Sequence, residues 1–142
     1  MSYDLMVFEP DAAPRDRPAF MAWYGELTQW GEGHDYDDPQ FTSPRLRAWY
    51  QDMIQTFPAM NGPDGVSDDE VDNPKVTGYS CASQAIYLDF RWSQAQSAYD
   101  HVKTLARQHR LGFFDVSADD GEVWEPLPNG GYEVVHGSGR SG

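Results

Sequence analysis

Residues 76–92 read Val-Thr-Gly-Tyr-Ser-Cys-Ala-Ser-Gln-Ala-Ile-Tyr-Leu-Asp-Phe-Arg-Trp, and this stretch decides the fold. Val76 to Ala82 and Ala85 to Trp92 are two strand-like runs. Only Ser83-Gln84 separates them, which predicts an antiparallel hairpin. In the second run Ile86, Leu88 and Phe90 alternate with Tyr87, Asp89 and Arg91. One face is therefore apolar and the other mixed, as in a strand packed on a core from one side.

Working toward the N-terminus, residues 61–74 hold Gly62, Pro63, Gly65 and a series of acidic residues, and read as a loop. Before it, Leu46, Trp49, Tyr50, Met53, Ile54 and Phe57 form a helical stripe behind Ser43-Pro44, an N-cap followed by proline at N1. An earlier helix is predicted from Asp16 as cap, with Phe20, Trp23, Tyr24, Leu27 and Trp30 as its stripe and Gly31 and Gly33 as its stop. Residues 3–8, Tyr-Asp-Leu-Met-Val-Phe, read as a strand apolar on both faces apart from Asp4, the signature of a central strand.

Toward the C-terminus, Ser93 to Gln96 fits a capping box. Ala95, Ala98, Tyr99, Val102, Leu105 and Ala106 follow as a third helical face, closed by Gly112. Phe113 to Ser117 is a further strand. Glu122-Val123-Trp124 and Tyr132 to Val135 are either short edge strands or a tail packed on the surface. The expected class is α+β: an antiparallel sheet covered on one face by helices. Its order, β-α-α-β-β-α-β, is the split β-α-β (ferredoxin-like) order with a C-terminal extension. Residues 1–136 form a single domain in this reading, and 137–142 a flexible Gly/Ser tail.

The charge is concentrated. Residues 1–74 hold 15 Asp and Glu against 4 Lys and Arg, a net of −11; residues 75–142 hold 8 against 6, a net of −2. Most of the excess lies in two loops, His34-Asp35-Tyr36-Asp37-Asp38 and Asp64 to Asp72, the second centred on Asp68-Asp69-Glu70. Such a field repels nucleic acid and anionic membranes and attracts basic partners. Despite a mean hydropathy of −0.68, the aromatics fall in periodic segments, as in a folded protein. The single cysteine, Cys81, rules out an intramolecular disulfide and a Cys-based zinc site. With no signal-like start and no apolar run of about 18 residues, the expectation is a cytoplasmic protein.

No catalytic pattern accompanies the charge. His34, Asp35, Asp37 and Asp38 are hard-cation ligand types, but adjacent side chains rarely converge, so they read as a solvated loop. Asp115 to Gly121 resembles a calcium loop, yet its glycine comes one place late and Pro126 stands where Glu is required. His34, His101, His109 and His136 lie beside no nucleophile motif, and Cys81 reads as a buried structural thiol. No Gly-rich phosphate loop is present. No metal and no cofactor is expected.

Tyr3 to Pro10, Ala22-Trp23-Tyr24, Thr56 to Pro63 and Gly112 to Ser117 together resemble a family of small, acidic bacterial proteins of uncharacterised role, over most of residues 3–125. That resemblance carries no catalytic residues. In size and acidity the chain is also similar to immunity proteins that neutralise secreted bacterial toxins. The leading expectation is therefore a non-enzymatic, immunity-type inhibitor whose acidic loops mask the basic active site of a toxin domain. Its contacts would be Asp35, Asp37, Asp38, Asp68, Asp69 and Glu70, with Tyr36 and Trp124 as aromatic anchors. Trp124 reads equally as a tail residue covering the core. The alternative is a small-ligand or enzymatic domain using an open sheet face lined by Tyr79, Tyr87, Asp89 and Arg91. Exposed sheet edges leave self-association as a third option.

Overall fold

β1, Ser2–Phe8, runs through the middle of the sheet in the computed structural model, which describes residues 2–33, 36–60, 62, 65–67, 72–118 and 121–136. After it come α1 (Arg17–Leu27), α2 (Pro44–Met53), β2 (Gly78–Cys81), β3 (Ala85–Arg91), α3 (Ala95–Gln108), β4 (Gly112–Phe114), β5 (Val123–Pro126) and β6 (Tyr132–His136). The sheet order is β2-β3-β1-β4-β5-β6, and every pairing is antiparallel. The first four strands take the split order expected, and β5 and β6 extend the sheet beyond β4. The fold is α+β.

The side chains of β1 alternate between two cores. Leu5 and Val7 join Ile86, Leu88, Phe90 and Phe113 beneath α2 and α3, where Trp49, Tyr50 and Met53 are fully buried. Met6 and Phe8 face the other way, with Ala85, Phe114 and Val123, and α1 covers them. The helices do not share one face: α1 lies opposite α2 and α3. The reason is visible in β1, which is apolar on both sides and would leave Met6 and Phe8 in water under a one-sided cover.

α1 seals this second core with rings. Phe20 meets Phe8 at 5.5 Å, Trp23 at 5.6 Å and Phe114 at 5.2 Å, the last nearly edge-on; Tyr24 meets Phe114 at 5.1 Å. Asp16 caps the helix through Ala19 N–H at 3.0 Å, and Ser43 caps α2 through Leu46 N–H at 3.4 Å. α1 ends at Leu27, so Trp30 is not on its stripe; Trp30 stands beyond it with φ of 55°. The Ser93 capping box does not form. Trp92–Gln94 is a 3-10 turn leading straight out of β3, and α3 starts at Ala95 with no side-chain cap.

Gly112 has a different role from the helix stop expected of it. Arg110, at φ of 60°, makes the left-handed turn after α3, and Gly112 sits in β4, where a Cβ would lie 2.2 Å from the Phe8 ring. Phe20→Ala removes the ring that joins α1 to the sheet and is expected to cost about 3–5 kcal/mol. Gly112→Ala, which pushes Phe8 aside, should cost about 1–3 kcal/mol. Urea unfolding checks both, and an unchanged midpoint in either variant would contradict the packing described.

Candidate functional site

The outer edge of β2 is where the first acidic loop meets the segment that leads into the second. Cys81 N–H donates to the Tyr36 carbonyl at 2.5 Å, while Met60 N–H donates to Thr77 O at 2.9 Å and Thr77 N–H to Pro58 O at 2.8 Å. The first loop and the start of the second thus cap the same edge, satisfying backbone groups that an edge strand otherwise exposes. They also touch. Gly62, at φ of +89°, lies so close to the Asp37 carbonyl that a Cβ there would overlap it. Glu32 ties the first loop to the hairpin by accepting from Ser83 N–H at 2.9 Å and Ser83 Oγ at 3.1 Å.

Of the proposed contact residues, Tyr36, Asp37 and Asp38 are described here, and all three are half-buried. Asp38 caps the turn Pro39–Phe41 through Gln40 N–H at 3.0 Å. Tyr36 packs edge-on to Trp30 at 5.0 Å, and its hydroxyl accepts from Glu32 N–H. Asp72 is exposed at the far end of the second loop. Asp35, Asp68, Asp69 and Glu70 lie outside the described residues, as does His34.

The face named as an alternative ligand surface is divided. Tyr79 stands opposite Leu88 and belongs to the main core, its hydroxyl donating to Phe57 O at 2.7 Å. It is not beside Tyr87, Asp89 and Arg91, because side chains on a strand alternate and Tyr79 has the phase of the apolar set. On the other face, Asp89 lies directly across from Asp4. Tyr87 O–H donates to Asp4, and the Tyr24 hydroxyl lies beside that of Tyr87. Trp30 stands edge-on to Tyr87 at 6.2 Å. Burial first, and then the Asp4 charge, push the Asp89 carboxyl above its ordinary pKa, while the Gly78 N–H pulls the other way.

A second carboxylate pair was not found from the sequence. Asp115, 2% exposed, and Glu122, fully buried, continue the β4–β5 ladder, with Asp115 N–H donating to Glu122 O at 2.9 Å. Tyr99 on α3 donates to Glu122 Oε1, and Lys103 Nζ stands 3.3 Å from the Tyr99 hydroxyl and 3.5 Å from the centre of the Trp124 ring. Burial lowers the Lys103 pKa, opposed by Glu122, Asp100 and Asp115. Trp124 stacks with Tyr132 at 6.0 Å and packs against the main core. It is therefore a clasp between α3 and the extension, not an exposed anchor. The available signal was Asp115 and Glu122 themselves, acids flanking the apolar runs Phe113-Phe114 and Val123-Trp124.

The histidines do not converge on a nucleophile among the described residues. His109 pairs with Asp52 at 2.6 Å. His101 packs on Phe57, and burial and then Lys75 lower its pKa. Cys81 is buried. No group of three or more His, Cys, Asp or Glu is placed to hold a metal among the described residues, and no helix there is long and apolar enough to cross a membrane. Comparisons with protein-family models, curated proteins and solved structures returned no match.

Asp89 gives a pH test. Its proton is held more tightly in the folded chain than in the unfolded one, so its stabilising contribution is complete below the ordinary carboxylate pKa and is lost as pH rises through the raised value. Asp89→Asn should therefore raise the thermal midpoint at pH 7, and the gain should shrink toward pH 4. Melting curves across that range check it; a destabilised variant at pH 7 would mean that the ionised carboxylate is favoured in place.

Proposed function

We propose that this chain is an acidic protein-binding module, an immunity-type inhibitor that masks the basic active site of a bacterial toxin domain. The observation that carries the reading is that the first acidic loop and residues 58–62, which lead into the second, cap the same outer edge of β2. A net charge of −11 in residues 1–74, with Asp37 and Asp38 beside this edge, speeds encounter with a basic partner and favours it over acidic ones. The likeness in size and acidity to immunity proteins points the same way. Asp37 and Asp38 are the contacts on the described part of this edge, and Asp35, Asp68, Asp69 and Glu70 complete the set. Tyr36 acts by tying the loop to β2 and Trp30. Trp124 drops out because its ring is engaged by Lys103 and Tyr132.

A small-ligand or enzymatic reading keeps one specific support, the opposed carboxylates Asp4 and Asp89 with Tyr87 and Tyr24 above them. It uses Tyr87, Asp89 and Arg91, without Tyr79.

The test is capture of partners from lysate at low salt on the immobilised chain, elution with rising salt, and expression of the eluted protein alone and with this chain. A basic protein that is lethal alone and neutralised by the chain is expected. The double variant Asp37→Asn with Asp38→Asn should slow its association several-fold at low ionic strength and flatten the salt dependence. Association kinetics unchanged by both substitutions would remove this edge from the interface. Failure to neutralise any captured protein would remove the inhibitor role.

A further inference from the structure

The strongest unassigned feature is a cavity of about 500 Å3 between the first turns of α3, the start of β1 and the chain leaving β4. Three rings line it. Tyr3 and Trp92 stand 5.4 Å apart at 55° to each other, and Tyr99 closes the α3 side, edge-on to Phe113 at 5.3 Å. Trp92 is 48% exposed, one of few large apolar side chains left open in this way among the described residues. Carboxylates supply the charge. Asp115, 2% exposed, lies in the wall with its Oδ2 3.4 Å from the Tyr3 hydroxyl, and Asp100 stands at the rim. Ser117 and Gln96 add neutral polar groups. No Lys or Arg is among the described residues lining it.

Each part of this lining selects in the same direction. Aromatic faces are negative and attract cations, tryptophan most strongly. A carboxylate shielded from water interacts more strongly with a cation than an exposed one does. An anionic ligand would meet Asp115 and Asp100 at the lining, with the nearby Lys103 outside it, over the Tyr99 and Trp124 rings, and a neutral apolar one would be set against the buried Asp115. The volume is of the order usual for small-ligand pockets, enough for a planar guanidinium and its methylene stem.

The geometry points to a cation-binding pocket formed by Tyr3, Trp92, Tyr99 and Asp115, whose ligand is a guanidinium or alkylammonium group. The source is either an arginine or lysine side chain of a protein or a free cationic small molecule. The pocket does not rest on the β2-edge reading, since no residue is shared between the two.

The test is titration of the full chain with arginine amide, its neutral isostere citrulline amide, and a short arginine-containing peptide with its citrulline counterpart. Tryptophan fluorescence and amide NMR shifts give the readout. Saturable binding of the arginine probes and none of the citrulline probes is expected. Trp92→Ala, at an exposed position, should weaken binding roughly tenfold, and Asp115→Asn should abolish it. The variant Asp37→Asn with Asp38→Asn should bind as the parent does. Tighter binding of the peptide than of arginine amide assigns the source to a protein side chain; equal binding assigns it to a free small molecule. Equal affinity for citrulline, no saturation by any probe, or unchanged binding in Trp92→Ala overturns the pocket. Binding lost only in the Asp37 and Asp38 variant also overturns it, while leaving the β2 edge standing. If Asp115→Asn does not fold, the citrulline and Trp92 arms still decide.

Discussion

β1 has to be covered on both faces, and the rest of the architecture is arranged around that requirement. Leu5 and Val7 point to one side, Met6 and Phe8 to the other, and all four are completely buried. Each fully buried side chain of this kind contributes about 1.5–3 kcal/mol, so leaving either side in water would be costly in a domain of ordinary stability. The chain meets the requirement within a single connection. Between β1 and β2 it lays α1 on one face and α2 on the other, then adds α3 beside α2. β3 pairs along all of β1 on one side and β4 pairs with Met6 to Phe8 on the other, where Ser117 also bonds Asp4.

The position of the polar groups follows from this packing. Two of the opposed acid pairs in the sheet lie at the margins of its apolar cover. Asp4 and Asp89 oppose each other on the α1 face, where Tyr87 and Tyr24 supply hydroxyls. Asp115 and Glu122 oppose each other where the β4–β5 ladder ends, under Tyr99 and Lys103. Buried carboxylates are tolerated only with partners, and in both places tyrosines, rather than arginines, provide them. A chain so short of cations has few alternatives. A tyrosine hydroxyl hydrogen-bonds an acid without supplying a positive charge.

The two proposals, at the acidic loops and at the aromatic cavity, invoke different kinds of recognition. The β2 edge carries charge at half-exposed positions, where attraction acts over a distance and is screened by salt. The cavity carries less charge, but one of its acids, Asp115, is buried beside the rings. Long-range attraction governs how fast a partner arrives, and a shielded, shaped site governs how long it stays.

The order of elements, the central place of β1, the 85–92 strand and the caps at Asp16 and Ser43 were all legible in the sequence. They depend on local periodicity and on capping chemistry, both written in neighbouring residues. The charge asymmetry and its two loops were equally legible, since composition is a property of the chain and not of its conformation. The side on which α1 lies, the assignment of Tyr79 to the core, the packing of Asp37 on Gly62 and the joining of Tyr3, Trp92 and Asp115 around one cavity were decided only by tertiary structure. Each depends on which of two sheet faces a residue meets, or on contacts between segments up to 112 positions apart. A period of two separates the faces of a strand but does not say which helix covers which, and no local pattern records what lies across a sheet.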